Sequence, residues 1–218
     1  MLRARFEKTG NALYISHLDL MRVFQRAFKR AGLKLTHSQG FNQRASVSIA
    51  LPLSLGVESH CELLDFDLEE AVSCPEILRR LNESLIDGVK VPEVYEQGDK
   101  IKNIAYLDCH LTLEYDGGIL GGTKEALETL FRRPELTVEK KGKNGITQQD
   151  IIPLIRSLYL EAENENELTI HARICCQNPS LNPMQLAAAI EKYAPEGQPD
   201  FVRCCREEIY DTNENVFR

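Results

Sequence analysis

The segment Thr36-His37-Ser38-Gln39-Gly40-Phe41-Asn42-Gln43-Arg44 gathers an imidazole, side-chain amides, an aromatic ring and a guanidinium within nine residues. Amide and Arg groups carry the donors and acceptors that phosphates and base edges require. Phe41 can stack on a base. His37 is the candidate for acid–base work because an imidazole titrates near neutrality. Gln39, Asn42 and Arg44 are the groups that would hold a phosphate beside it. Upstream, Arg22, Arg26 and Lys29 recur at i, i+4 and i+7 with Arg30 adjoining, the spacing of one helix face. These residues are the candidate anion- and RNA-binding set. A plain connecting loop with turn residues at Gly40 and Asn42 is the competing account.

His17 and Asp19 open the same helix. Ser16-His17-Leu18-Asp19 has the form of a capping box, which accounts for Asp19 without any chemistry. A helix N-terminus also disfavours a protonated imidazole. Catalysis, if there is any, is expected where the start of this helix meets the His37–Arg44 loop. His17 and His37 flank the helix at opposite ends, however, about 21 Å apart along its axis. Only one of the two should act, and His37 is the better placed.

Cys109, the pair Cys175-Cys176 and the pair Cys204-Cys205 fall on predicted strands. They show neither C-x₂-C spacing nor an iron–sulfur signature, so buried thiols acting as small hydrophobes are expected, with no metal. Gly117-Gly118-Ile119-Leu120-Gly121-Gly122-Thr123 lacks the phosphate-loop pattern and reads as a turn before a helix. Asp65 and Asp67 alternate along a strand and read as solvated.

Two αβ repeats must position these groups. Leu2, Ala4 and Phe6 alternate as a strand, and a helix runs from Ser16 to about Ala31, ended by Gly32. Its apolar stripe is Leu20, Phe24, Ala27, Phe28 and Ala31. Strands are predicted around Val47–Leu51, Leu64–Leu68 and Val89–Tyr95. A helix begins at the capping box Ser73-Cys74-Pro75-Glu76. After the polar stretch Glu96–Asn103 the order restarts with a strand at Leu107–Tyr115, a helix at Thr123–Arg132 and a strand near Leu136–Lys140. A strand at Leu168–Ile174, a helix opened by Asn182-Pro183 and a strand at Phe201–Tyr210 follow. Residues 142–156 fit no element, and one extra element is expected around Asp150–Leu160. The predicted class is α+β: two tandem ferredoxin-like (βαββαβ) units with antiparallel sheets, at residues 1–98 and 103–218.

Charge is distributed unevenly over the 218 residues. Residues 1–50 hold nine Lys/Arg against Glu7 and Asp19, a net +7, while the remainder holds 17 against 31, a net −14. One end therefore attracts polyanions. No apolar run approaches the ~18 residues of a membrane span. The absence of a leader-like N-terminus and the cysteine usage point to a reduced, cytoplasmic setting.

Four stretches stand in a telling order: Ile15-Ser16-His17-Leu18-Asp19-Leu20-Met21-Arg22, Arg26-Ala27-Phe28-Lys29-Arg30-Ala31-Gly32-Leu33, Ser38-Gln39-Gly40-Phe41-Asn42, and Leu51-Pro52-Leu53-Ser54-Leu55-Gly56-Val57-Glu58-Ser59. Together they resemble the bacterial radical-SAM-linked family, a domain of unknown function. That family is encoded beside, or fused to, a B12-binding radical SAM protein, and often near a ribonuclease of the E/G type and ribosomal proteins. The resemblance is specific over residues 1–95 and diffuse beyond. It implies a cytoplasmic location, a radical SAM protein as partner and a link to RNA or ribosome metabolism, without an established reaction. The family pattern continues after the Asn with Pro-His-Pro and a basic residue, whereas this chain has Gln43-Arg44-Ala45-Ser46. That imidazole is absent; if it is catalytic in the family, this chain is inactive or uses His37 instead. The layout is also similar to CRISPR repeat-processing endoribonucleases, an analogy of fold alone.

The expected function is a non-catalytic RNA-binding or adaptor module that works with a radical SAM enzyme, with no cofactor of its own. One alternative is a metal-independent RNA-processing endoribonuclease using His17 or His37. The other is a structural protein–protein module whose basic helix docks on an acidic partner.

Overall fold

Strand β1 (Leu2–Lys8) carries Ala4 and Phe6 into a core that the computed structural model shows fully shielded from water. The structure describes residues 1–39, 43–96, 98–142 and 145–218. They form a mixed α+β chain with four α-helices and antiparallel sheets among the described residues. The chain divides into two compact units, residues 1–101 with Arg218, and residues 102–217.

In the first unit, helix α1 (His17–Arg30) follows β1. Ser16 caps it, its Oγ accepting from the Asp19 N–H. Leu20, Phe24, Ala27 and Phe28 are its buried face. Phe24 meets Phe6 edge-on at 4.8 Å between ring centres, and Phe28 meets Phe66 at 4.9 Å. The helix ends in a Schellman turn, with Gly32 N–H donating to Lys29 O and Leu33 N–H to Phe28 O. Gly32 sits at φ +67°, which a side chain would strain. Strands β2 (Val47–Ile49) and β3 (Val57–Phe66), helix α2 (Cys74–Ser84) and strand β4 (Val89–Glu96) complete the unit. The strand order is β4-β1-β3-β2, antiparallel throughout.

The second unit repeats this order around strand β5 (Ile104–Glu114) and helix α3 (Thr123–Phe131). Strands β6 (Thr137–Gly142) and β7 (Gly145–Asp150) then pair with each other as a two-stranded ribbon. Lys192 Nζ and the Tyr193 hydroxyl tie that ribbon to helix α4 (Met184–Tyr193) through the Thr137 carbonyl. Strands β8 (Ile155–Ala162), β9 (Glu167–Cys175) and β10 (Phe201–Asp211) join β5 in the order β10-β5-β9-β8. On one face of this sheet Leu107, Leu111 and Leu113 lie opposite Ile174, Ile170 and Leu168. All six are buried. The other face carries polar partners: Asp108 opposite Arg173, His110 opposite His171, and Thr112 opposite Thr169.

Three expectations need correction. The strand near 136–140 belongs to the ribbon, and the strand that completes the second sheet is β8, in the region where an extra element was expected. Ser73 makes no side-chain cap to α2; Glu76 is instead drawn to Arg79 and Arg80 one turn on. Asp65 is not solvated. It is 8 % exposed and grips the fully buried Arg3 guanidinium through Nε at 2.6 Å and Nη2 at 3.1 Å. The reason is position: β3 lies inside its sheet between β1 and β2, so a carboxylate there is flanked on both sides.

Candidate functional site

Helix α1 turns its core stripe inward and leaves Arg22, Arg26, Lys29 and Arg30 exposed. Arg22 is partly neutralised by Asp19 at 2.7 Å. The Ser16 hydroxyl and then the Arg22 guanidinium hold the Asp19 carboxyl below its ordinary range. Arg30 reaches the carbonyl of Ser84, at the end of α2, where helix carbonyls lack helical partners. Among the described residues Arg26 and Lys29 make no hydrogen bond or ion pair, and Arg26 acts on the Asp19 carboxyl only at longer range, so both cations can reach a ligand.

After the Schellman turn the chain runs back as a short extended segment. Thr36 N–H donates to Asp67 O and Glu69 N–H to Lys34 O, which stitches it beside the end of β3. Ser38 N–H then donates to Arg44 O, and Arg44 N–H to Ser38 Oγ. His37 lies opposite Ala45 and is exposed. The fold thus places His37 beside the C-terminal half of α1, not its start, which corrects the expected meeting point. Gln25, Lys29, Lys34, His37 and Glu69 form the polar wall of a cleft of about 510 Å³. Phe28, Leu33, Leu35 and Ala45 form its apolar wall.

His17 lies apart from this cleft, at the first position of α1, with a buried Nδ1 that has no hydrogen-bond partner among the described residues. Gln39 and Arg44 are exposed but do not line the cleft. Phe41 and Asn42 lie outside the described residues. Gln25 and Glu69 were missed from sequence. Gln25 had a local signal, one turn before Lys29 on the same helix face. Glu69 had none, because the pairing of residues 34–36 with 67–69 brings it there.

The polar face of the second unit holds another cluster that motif reading missed. His110 and His171 face each other at 6.1 Å between ring centres, and His171 stacks on Tyr159 at 4.6 Å, nearly parallel. His110 Nδ1 stands 3.0 Å from Glu207. Arg203 is engaged by both Glu114 and Glu167. Asp108 holds Arg173 through two bonds of 2.7 and 2.8 Å. Its signal was the alternation of β5 and β9, which becomes a cluster only once their register is known.

Cys109 and Cys204 lie in the buried interior of the second unit. Burial pushes the Cys109 thiol well above its ordinary value and the Cys204 thiol up to about 12. A thiol held neutral is a poor nucleophile.

Among the described residues no helix is long and apolar enough to cross a membrane. A comparison with curated proteins finds no match. Among solved structures, a Cbf5-Nop10-Gar1 complex aligns with a TM-score of 0.49 at 6 % identity, over 95 % of this chain and 48 % of that one. The chain thus spans about half the length of that structure. An unknown protein from Galdieria sulphuraria aligns with a TM-score of 0.27 at 12 % identity, over 94 % and 96 % of the two chains. The family match runs through the first unit and into the second, past the stretch where the resemblance was specific. The chain belongs to the family of uncharacterized proteins conserved in bacteria (DUF2344), which it matches over residues 1–183.

Proposed function

We propose that the chain is a cytoplasmic RNA-binding adaptor module, with the outer face of α1 and the adjoining His37 cleft as its RNA surface. The observation that carries this reading is the row Arg22, Arg26, Lys29 and Arg30, exposed along one helix and ending at the cleft that Lys29 and His37 share. Cations in a row track phosphates without reading sequence. The cleft, part apolar and part polar, is within the size range of small-ligand sites and suits an unstacked base. The shared strand order, once the β6–β7 ribbon is set aside, supports reading the two units as tandem ferredoxin-like folds. A radical SAM enzyme is the partner that the sequence resemblance implies.

Titration of labelled single-stranded RNA at increasing salt tests the RNA reading. A steep loss of affinity with salt is expected, because each neutralised phosphate releases counterions. No binding at low salt, or a flat salt response, overturns it. Co-purification with a radical SAM protein encoded nearby tests the adaptor part separately.

One observation favours a second reading. His37 and Lys29 line the same cleft, an imidazole beside an ammonium, which is a set able to move a proton and steady a phosphate. A metal-independent endoribonuclease would use these two residues.

A further inference from the structure

We propose that His171, Glu161 and Glu163 form a binding site for a divalent first-row transition-metal ion on the polar face of the second unit. The site is independent of the RNA surface and of the cysteines.

Local structure aims the three groups at one point. Tyr159, Glu161 and Glu163 follow each other at every second residue along β8 and just past its end, so they share a face. His171 on β9 lies directly opposite Tyr159, and the stacked phenol fixes the plane of its ring. Glu163 is held by its N–H bond to the Glu167 carbonyl where the chain turns between β8 and β9. Ligand atoms of His171, Glu161 and Glu163 all lie within 4.8 Å of one another.

A second observation concerns the imidazole alone. Nε2 of His171 is shielded from water yet has no hydrogen-bond partner among the described residues. Its nearest carboxylate oxygen, on Glu161, is 3.7 Å away, beyond a normal N–H···O bond. A buried ring nitrogen left unsatisfied is costly. The spacing suits two ligands of one ion, since atoms each ~2.1 Å from a shared metal stand roughly 3–3.5 Å apart. Both carboxylates are exposed, and a rotamer change closes the rest of the gap.

Among the described residues neither Glu161 nor Glu163 is paired with a Lys or Arg. Arg203, which lines the same cleft as Glu163 and His171, is already engaged by Glu114 and Glu167. One imidazole and two carboxylates are a nitrogen–oxygen set that takes Mn²⁺, Fe²⁺, Co²⁺ or Zn²⁺. Three protein ligands leave coordination positions open toward a cleft of about 460 Å³ lined by His110, Asn164 and Arg203. Open positions distinguish a site that receives a ligand from a closed structural one.

The test uses the full chain stripped by chelator and titrated with Mn²⁺, following the magnetic-resonance signal of the free ion. One Mn²⁺ per chain is expected to leave the free pool. Glu161→Gln and His171→Ala should each weaken binding about tenfold or more. Glu161→Gln alters an exposed side chain, and an unchanged unfolding midpoint shows that the fold is retained. Titration with Co²⁺ should give weak ligand-field bands without thiolate charge transfer. No Mn²⁺ binding by the unaltered chain overturns the proposal, as does binding unchanged in a Glu161→Gln/Glu163→Gln double variant. A thiolate band lost on Cys109→Ser would move the ion to the cysteines and overturn it equally.

Discussion

Arg3 and Asp65 face each other across β1 and β3, with two bonds of 2.6 and 3.1 Å between a guanidinium that is fully buried and a carboxylate nearly so. A third bond runs from Arg3 Nη1 to the Asp99 carbonyl at 2.9 Å, beyond the end of β4. The pair thus anchors the end of the first unit to its central strands. Removing one partner of a buried ion pair costs about 3–5 kcal/mol. Asp65→Ala should lower the unfolding free energy by that amount in denaturant titration. Replacing both residues with apolar ones of similar volume should recover most of it. A loss below about 1 kcal/mol for the single variant would show that the guanidinium finds water instead.

The basic face gives a second expectation. Changing Arg22, Arg26 and Lys29 to Glu reverses three exposed charges without touching the apolar stripe of α1. RNA affinity should fall by more than tenfold and the salt dependence should flatten, since fewer counterions are released. The melting temperature should move only modestly, because the one ion pair lost, Arg22 with Asp19, is exposed and such pairs are worth about 0–1 kcal/mol. Unchanged RNA binding in this variant removes the α1 face from the interface.

His37 and His17 are separated by the length of α1, and only His37 lines the cleft. His37→Ala should therefore weaken RNA binding, while His17→Ala should leave it near the unaltered value. If purified protein cleaves small RNA without metal, His37→Ala should abolish the cleavage and His17→Ala should spare it. Cleavage that survives His37→Ala would exclude His37 as the acid–base group.

Much of this architecture was legible in the residues because its causes are local. Ala4 and Phe6, the stripe from Leu20 to Phe28 and the Gly32 stop each report their own backbone. The elements misread are those set by distant partners. In β7, Gly145 to Gln148 are exposed, so no alternation of apolar side chains marks a strand there. Asp65 resembles a solvated carboxylate until β1 and β2 are seen on either side of it. Glu69 joins the His37 cleft only through the pairing of residues 34–36 with 67–69. The cluster of His110, His171 and Tyr159 exists only through the registers of β5, β9 and β8. Motif spacing sees neighbours along the chain and is blind to neighbours across a sheet.

The chain turns sharply between β1 and α1 and packs there on the turn before β4. Thr9 N–H donates to Gly88 O at 2.8 Å, and Gly88 sits at φ +79°. A Cβ on Gly88 would stand 2.4 Å from the Thr9 carbonyl oxygen and 2.9 Å from the Ala12 Cβ. Gly88→Ala therefore meets a backbone atom as well as an unfavourable dihedral, and the dihedral alone costs about 1–2 kcal/mol. The variant should unfold at clearly lower denaturant, whereas Gly117→Ala, which meets nothing within 4 Å and has no positive φ, should not. Equal stability of the two variants would contradict this account of the turn.

Burial leaves the thiols of Cys109 and Cys204 neutral at physiological pH, the first held well above its ordinary value and the second up to about 12. Alkylation requires the thiolate, so both should stay unmodified when the folded chain meets iodoacetamide near pH 8. Cys74, half-exposed at the start of α2, should react first. Mass spectrometry of tryptic peptides separates these outcomes, and a parallel sample in denaturant should show all seven cysteines labelled. As pH rises toward 12, the folded chain gains nothing from ionising these groups, whereas the unfolded chain ionises them near 9. The sign follows from linkage: a thiol whose folded value is raised contributes stability fully present below 9, and that contribution is lost as pH climbs toward the folded value. Stability should therefore decline in mild alkali, and Cys204→Ala should reduce the steepness of that decline. Labelling of Cys204 in the folded chain as fast as Cys74 would show that the sheet opens around it and would refute the buried-thiol reading.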